Sequence, residues 1–207
     1  MNAPAPAKRR VFIVDDEPEI RDALSLALST AGVETEEYAS AEGFWENAPH
    51  GEPYCVLLDN RLPGLSGVEL LPRIVKRSKQ AAVIIMTGHG DVPTAVQAMK
   101  LGAYHFVEKP FDAESLVGAV EDALNRAERE SERYAEAARF RERRATLTDR
   151  EAEAFDLLVE GCATKTIAAR LDITVRTAEH HRGAVLRKFE AKSISALMRM
   201  ALARNDK

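Results

Sequence analysis

The stretch Val11–Asp16, with the sequence VFIVDD, decides the fold of the first half of the chain. Four apolar residues are followed directly by two carboxylates, and an unbroken apolar run of this kind is typical of a parallel strand buried on both faces. Similar runs end at Asp59, at Thr87 and at Lys109. Helical patterns separate the runs, and strict strand–helix alternation predicts a doubly wound parallel sheet.

The residues at the ends of these runs carry the chemistry of the predicted site. Ligands bind at the carboxyl ends of the strands in an open α/β sheet, so we expect these side chains to converge. Asp59 is best placed as a nucleophile that forms an aspartyl phosphate. Asp16, assisted by Asp15 through water, is predicted to bind Mg²⁺. Lys109 and Thr87 are predicted to contact the phosphoryl oxygens.

Length, charge and cysteine content narrow the class of protein. A chain of 207 residues accommodates two domains. Residues 1–111 hold 11 basic and 15 acidic side chains, whereas residues 146–207 hold 11 and 9, which favours an anionic partner for the last third. The first ten residues lack the pattern of a signal peptide, and no apolar run reaches membrane-spanning length. We therefore expect a cytoplasmic protein with no membrane partner.

Residues 112–145 are predicted to form one long helical linker. Neither Gly nor Pro occurs between Gly118 and Gly161, and Asp112 is predicted to cap the helix. Two interpretations stay open, a solvated linker and a two-stranded coiled coil that joins protomers. The seam of the coiled coil would start apolar and become polar towards its end. Its residues have alternating three- and four-residue spacing and are Val117, Val120, Leu124, Ala127, Ser131, Tyr134, Ala138 and Arg141.

Residues 146–207 are predicted to form an all-α domain of four short helices. Thr148 and Glu151 have the spacing of a capping box at the start of the first helix. The segment 164–189 has the pattern of a helix-turn-helix, in which Thr174 caps the second helix of the motif.

Four blocks in the first half resemble the signature of a response-regulator receiver domain over about residues 9–125. They are VDDE, LLDNRLPGLSG, MTGHGD and FVEKPF. The resemblance implies a CheY/flavodoxin-like five-stranded sheet with Asp59 as the phosphoacceptor. It also implies the carbonyl of Arg61 as a further Mg²⁺ ligand, and Thr87 and Phe106 as a switch pair.

The last third resembles the LuxR/NarL-type DNA-binding domain through LTDREAEAF, KTIAARLDIT, VRTAEHHR and KFEAKS. With the long linker and MTGHGDVP, the whole chain is similar to the FixJ group of response regulators. Such a domain lays the second helix of its motif in the DNA major groove. The expected base-facing residues are Glu179, His180, Arg182 and Gly183. The expected backbone-facing residues are Lys165, Thr174, Arg176, His181 and Lys188, with Thr177 in the same interface.

The resemblance implies a transcriptional regulator rather than an enzyme, because a receiver promotes only its own phosphoryl transfer and dephosphorylation. In this family the positions of Arg61 and His89 tune dephosphorylation. The implied cofactor is Mg²⁺, and the implied partners are a sensor histidine kinase, double-stranded DNA, RNA polymerase and a second copy of the chain. Receivers would pair on phosphorylation through the face around Ala95–Leu124.

Three alternatives stay open. The first is a DNA-binding regulator whose receiver acts without phosphorylation. The second is a phosphate sink or protein-binding switch, and the third is a phosphatase or mutase with a strand-end Asp nucleophile. Multiple turnover of a small phosphoester would favour the third.

Overall fold

The computed structural model describes residues 9–88 and 92–202, so the predicted position His89 lies outside the described residues. The chain divides into two compact units between Glu132 and Arg133. Within the described residues, each helix is too short or too polar to cross a membrane.

The described residues of the first unit form a parallel sheet with helices between its strands. Its strands are β1 (Arg10–Val14), β2 (Glu34–Tyr38), β3 (Tyr54–Asp59), β4 (Ala81–Gly88) and β5 (His105–Lys109). The helices that follow them are α1 (Pro18–Thr30), α2 (Ala41–Asn47), α3 (Gly67–Arg77), α4 (Val92–Lys100) and α5 (Ala113–Ala145). All strand pairs are parallel and the order is β2-β1-β3-β4-β5. This order confirms the predicted doubly wound, CheY/flavodoxin-like fold.

Two apolar cores cover the two faces of this sheet, because successive side chains of a strand point to opposite faces. Val56 and Leu58 of β3 pack with α2, α3 and α4, whereas Cys55 and Leu57 pack with α1 and α5. Every residue of β3 is buried, which explains its unbroken apolar sequence. The edge strand β2, with the sequence ETEEY, is largely exposed and its glutamates discourage edge-to-edge pairing.

Helix α5 begins as predicted, with the Asp112 carboxylate accepting from the Ser115 amide at 2.8 Å. The apolar half of the predicted coiled-coil seam lies in the core of the first unit. Val120, Leu124 and Ala127 are buried there against the sheet. These side chains are therefore not available to a partner helix, because their own sheet already covers them.

In the described part of the second unit, which ends at residue 202, four helices follow α5. They are α6 (Asp149–Val159), α7 (Thr164–Arg170), α8 (Val175–Lys188) and α9 (Ile194–Leu202). Phe155 and Phe189 stack at the centre with ring centroids 4.9 Å apart, and Phe140 of α5 packs edge-on against both. The last turns of α5 are thus part of the core of this unit. The predicted capping box of Thr148 and Glu151 is present.

Candidate functional site

The strand order gathers the predicted phosphoryl-site residues at the carboxyl edge of the first sheet. Asp15 directly follows β1, whereas Asp59 and Lys109 are the last residues of β3 and β5. Thr87 lies near the end of β4, which runs between β3 and β5. Because all strands are parallel, these ends meet at one edge, as the sequence predicts.

Lys109 is the centre of the site. Its ammonium nitrogen lies 2.6 Å from Asp15 Oδ2 and 2.7 Å from Asp59 Oδ1, and Glu17 Oε1 lies 3.7 Å away. The Asp15 side chain is fully buried, the Asp59 side chain is 5% exposed and that of Lys109 is 15% exposed. One cation therefore pairs with two buried carboxylates, an arrangement in which loss of the cation is costly.

The pKa values of this cluster reflect burial and pairing. Burial raises the pKa of the Asp15 carboxyl, although its hydrogen bonds from Lys109 and from the Glu17 amide act in the opposite direction. Burial alone would lower the pKa of Lys109, but hydrogen bonds and charge attraction from Asp15 and Asp59 together outweigh it, so the pKa is raised. Lys109 is therefore held in its charged form.

The backbone around Asp59 is fixed by hydrogen bonds and by the close approach of α3. The Arg61 amide donates to Asp59 Oδ2 at 2.5 Å, and the Val68 amide donates to the Asn60 side chain at 3.2 Å. A Cβ on Gly67 would lie 2.4 Å from the Asp59 carbonyl oxygen. Only glycine therefore lets the start of α3 come so close to the acceptor strand, a requirement that the turn-rich sequence of this loop does not reveal.

Three other predicted residues occupy different environments. Thr87 is 1% exposed at the end of β4, so its hydroxyl lies at the buried edge of the site. Phe106 is half-buried and packs against the core formed with α2, α3 and α4. Asp16 is exposed. It is Asp15, expected to act only through water, whose carboxylate contacts Lys109 directly.

Arg21 is a contact residue of this site that sequence reasoning missed. Its guanidinium donates to the Asp15 carbonyl oxygen at 2.7 Å and lies 3.8 Å from Glu37. It therefore steadies the peptide that joins Asp15 to Asp16. The signal in the sequence is its spacing, because Arg21 is a basic residue one turn into α1 and six residues after the strand-end acid Asp15.

The donor set suits a divalent cation only with help from water and backbone. Among the described residues, no group of three or more His, Cys, Asp and Glu side chains is arranged to hold a metal ion by itself. Two carboxylates and a carbonyl nevertheless match Mg²⁺, which takes one or two carboxylates directly and keeps several waters, so the third carboxylate would act through water.

The helix-turn-helix of the second unit is formed by α7 and α8. Asp172 has a φ of +53° in the turn between them, and Thr174 caps α8 by accepting from the Thr177 amide at 3.1 Å. The predicted DNA-facing residues of α8 differ in exposure. Exposed are Arg176, Glu179 and His180, together with Thr174 before α8 and Lys165 on α7. Half-buried are Thr177, His181, Arg182, Gly183 and Lys188.

Two basic side chains of α8 have distinctive surroundings. Arg182 has a buried Nε with no hydrogen-bond partner within residues 9–88 and 92–202. Lys188 is bonded inside the unit instead, to Glu151 Oε2 at 2.6 Å and to the Thr146 carbonyl at 2.7 Å. The predicted contact of Lys188 with a DNA phosphate would therefore compete with two internal bonds. The capping-box signal identified Glu151 but not its distant partner.

Comparisons with known proteins match each half of the chain to a protein family. The response regulator receiver domain matches residues 11–121, and the bacterial regulatory proteins of the luxR family match residues 145–201. The chain is 40% identical to the transcriptional regulatory protein FixJ of Azorhizobium caulinodans, over 95% of this chain and 93% of that protein. It is 42% identical to the C4-dicarboxylate transport regulator DctR of Rhodobacter capsulatus, over 92% and 98%.

Solved structures resemble the chain over most of its length as well. The response regulator StyR has a TM-score of 0.82 at 34% identity and covers 95% of this chain and 99% of its own. Full-length FixJ from B. japonicum has a TM-score of 0.59 at 39% identity, over 95% and 97%.

A receiver followed by a DNA-binding helix-turn-helix defines a transcriptional regulator of a two-component system. The chain belongs to the response regulators of the FixJ/LuxR type. Phosphorylation and DNA binding are typical of this family, and its receivers typically bind Mg²⁺ at the phosphorylation site.

Proposed function

We propose that a sensor histidine kinase transfers a phosphoryl group to Asp59. The observation that carries this proposal is the position of Asp59 at the end of β3, nearly buried and 2.7 Å from Lys109. Lys109 already neutralises Asp15, so an added phosphoryl group has a fixed cation beside it. Thr87 would donate its hydroxyl to a phosphoryl oxygen, and Phe106 would turn inward as Thr87 moves.

Mg²⁺ would be held by Asp15, Asp16, Asp59 and the carbonyl of Arg61. When bound, it supplies positive charge that offsets the charge of the acceptor and of the phosphoryl group. Arg61 also contributes its amide, which keeps one Asp59 oxygen oriented.

The phosphorylated receiver would pair with a second copy through the face around Ala95–Leu124, in the cytoplasm. Two output domains then bind two related half-sites, and pairing supplies the effective concentration that a weakly charged single domain lacks. Contact with RNA polymerase would follow at the promoter. Exposed Glu179 on α8 would accept from a cytosine amino group, which disfavours other bases at that position.

The backbone of the half-site would be contacted by Lys165, Thr174, Arg176 and His181. The bases would be contacted by Glu179, His180, Arg182 and Gly183, with Thr177 beside them. Arg182→Ala should relax specificity at one position if it contacts a base, and lower affinity evenly if it contacts phosphate.

The testing experiment is sedimentation and DNA binding in Mg²⁺, with and without a phosphoryl donor. Wild type should dimerise and bind DNA more tightly on activation, and Asp59→Asn should do neither. Asp22→Asn, which alters an exposed carboxylate of α1, is the matched control and should behave as wild type. Equal responses from wild type and Asp59→Asn would overturn the proposal and favour a receiver that acts without phosphorylation. A dimer in every condition would assign pairing to a surface other than the activated receiver.

A further inference from the structure

The C-terminal end of α8 is tied to the segment that precedes and begins α6. Lys188, the last residue of α8, donates to Glu151 Oε2 at 2.6 Å and to the Thr146 carbonyl at 2.7 Å. We propose that Lys188, Glu151 and Arg143 form a helix-end clamp that positions α8 on DNA, and that Lys188 itself makes no contact with DNA phosphate. This inference rests on the DNA-binding function of the domain.

Thr148 orients the Glu151 carboxylate independently of Lys188. Its Oε2 accepts from the Thr148 amide at 2.8 Å and from the Thr148 hydroxyl at 3.1 Å. The same oxygen accepts from Lys188, and the Glu151 side chain is only 11% exposed. A carboxylate oriented by a capping box loses little further freedom when it binds the ammonium. Glu151 therefore joins the first turn of α6 to the last residue of α8.

Arg143 makes the second set of contacts with the C-terminal end of α8. Its guanidinium donates to the Phe189 carbonyl at 2.7 Å and lies 2.7 Å from the Glu190 carboxylate. Phe189 is the C-cap of α8, so the last turn of α5 and the first turn of α6 both hold the same helix end. A shift of either turn would then be transmitted to the position of α8.

A lysine paired in this way is a poor phosphate ligand. The Lys188–Glu151 pair has no net charge, so the pair displaces no counterion from DNA unless it breaks. Breaking it would leave the Glu151 carboxylate without its cation. Arg187, one residue earlier, is exposed on the same helix and provides a comparison of equal charge.

The first measurement is the salt dependence of binding by the activated full-length chain to a random-sequence duplex. Each phosphate contact makes the slope of log K against log salt concentration steeper, that is more negative, by about 0.9. Lys188→Met should leave the slope unchanged, whereas Arg176→Met, which removes an exposed predicted contact, should make it shallower by about 0.9. A similar change for Lys188→Met would overturn the clamp, because it would mean that Lys188 binds phosphate.

The second measurement is the specificity ratio between a duplex enriched from random DNA by wild type and a scrambled duplex. Lys188→Met and Glu151→Gln should each lower the ratio about three- to tenfold, and the double variant no further, because both remove the Lys188–Glu151 ion pair. Lys188→Arg should restore part of the ratio. Glu151→Gln keeps an acceptor for the capping box, so it tests the clamp with the helix start preserved.

The outcomes separate the clamp from the function on which it rests. An unchanged ratio in both single variants would leave DNA binding intact and overturn the positioning role. Arg187→Met should leave the specificity ratio as in wild type, and an equal loss there would also overturn it, because any cation at this helix end would then suffice. Failure of the wild-type chain to enrich any duplex would overturn DNA binding itself.

Discussion

Lys109 and Lys188 are each the last residue of a regular element, and each ammonium is held by two oxygen atoms at almost the same distances. Lys109 has contacts of 2.6 and 2.7 Å with two carboxylates, and Lys188 has contacts of 2.6 and 2.7 Å with one carboxylate and one carbonyl. The sequence predicts a phosphate contact for both lysines. Their surroundings indicate different roles, because Lys109 is 15% exposed at a site of excess negative charge and Lys188 is 32% exposed within a neutral pair.

The difference indicates that the role of each lysine depends on the number of acids around it more than on its distance to any one of them. Lys109 faces two carboxylates, so the cluster carries net negative charge and can take up a further cation. Lys188 faces one carboxylate that is already fixed by Thr148, so the charges cancel. The first arrangement suits a reactive site, and the second suits a structural tie.

Removal of the Lys109 ammonium should have the largest effect on the free energy of unfolding. Lys109→Met leaves two buried carboxylates without their cation, and the unfolding free energy of the receiver should fall by about 3–5 kcal/mol at pH 7 without Mg²⁺. Urea denaturation followed by the fluorescence of Trp45, the single tryptophan, measures it. Lys100→Met, at an exposed position of α4, should change stability by less than about 0.5 kcal/mol.

Millimolar Mg²⁺ should restore part of the stability that Lys109→Met loses, because a divalent cation can replace the missing charge between Asp15 and Asp59. Equal losses for the Lys109 and Lys100 variants would contradict the importance of the buried pair. Indifference of the Lys109 variant to Mg²⁺ would contradict the proposed metal ligands.

A methyl group at Gly67 should have the next largest effect. Its Cβ would lie 2.4 Å from the Asp59 carbonyl oxygen, so the backbone of α3 or β3 must shift. We expect Gly67→Ala to lower stability by about 1–3 kcal/mol and to slow phosphorylation of Asp59. Gly118→Ala is the control, because no described atom beyond the adjacent residues and the backbone of its own helix turn lies within 4 Å of the place its methyl group would take, and helix propensity should raise stability by about 0.5–1 kcal/mol. Denaturation and phosphoryl uptake from a small donor check both.

Glu151 should give the second unit a measurable acid dependence. The ammonium of Lys188 and the Thr148 amide lower the pKa of Glu151 from 4.5 to about 2. Because the folded pKa is the lower one, this stabilisation is complete above pH 4.5 and is lost as the pH falls towards 2. We expect the loss to be about 1–2 kcal/mol, measured by hydrogen exchange of α6 and α8 amides.

The difference between wild type and Glu151→Gln isolates this group from other titrating acids. The two proteins should differ above pH 4.5 and converge at lower pH, since protonated Glu151 and Gln are then both neutral. Parallel curves over the whole range would mean that the Glu151–Lys188 pair does not form in solution.

The sequence predicts the convergence at the sheet edge because strand ends are set by local patterns. Unbroken apolar runs mark β1, β3 and β4, and topology brings their last residues together. The sequence does not predict that Asp15 rather than Asp16 contacts Lys109. That choice depends on which of the two side chains after β1 points towards Lys109. The sequence also identifies Glu151 as part of a capping box with Thr148, but Lys188 lies 37 residues further on and only tertiary packing joins it to Glu151.

The linker illustrates the same limit on a larger scale. The spacing of Val120, Leu124 and Ala127 fits a coiled-coil seam and equally fits a helix that packs on its own sheet. The sequence pattern gives the apolar face but not the surface that covers it. In the structure that surface is the sheet of the receiver.

The smallest effect is expected at a third charged contact, where exposure rather than distance decides the energy. Arg9 Nε lies 3.0 Å from Glu128 Oε1 of α5, and Arg9 also donates to Asn125 at 2.6 Å. The Arg9 and Glu128 side chains are 40% and 33% exposed, so water competes for both charges. Arg9→Ala should therefore lower the unfolding free energy by only about 0.2–1 kcal/mol.

The effect of Arg9→Ala should also be local, with faster hydrogen exchange of α5 amides near residues 125–130 and little change elsewhere. Arg10→Ala, which removes a comparable exposed pair with Glu36 at 2.9 Å, should leave those amides as in wild type. A loss as large as that of Lys109→Met would contradict the argument from exposure. It would mean that contacts of similar length have similar energies whether or not water reaches them.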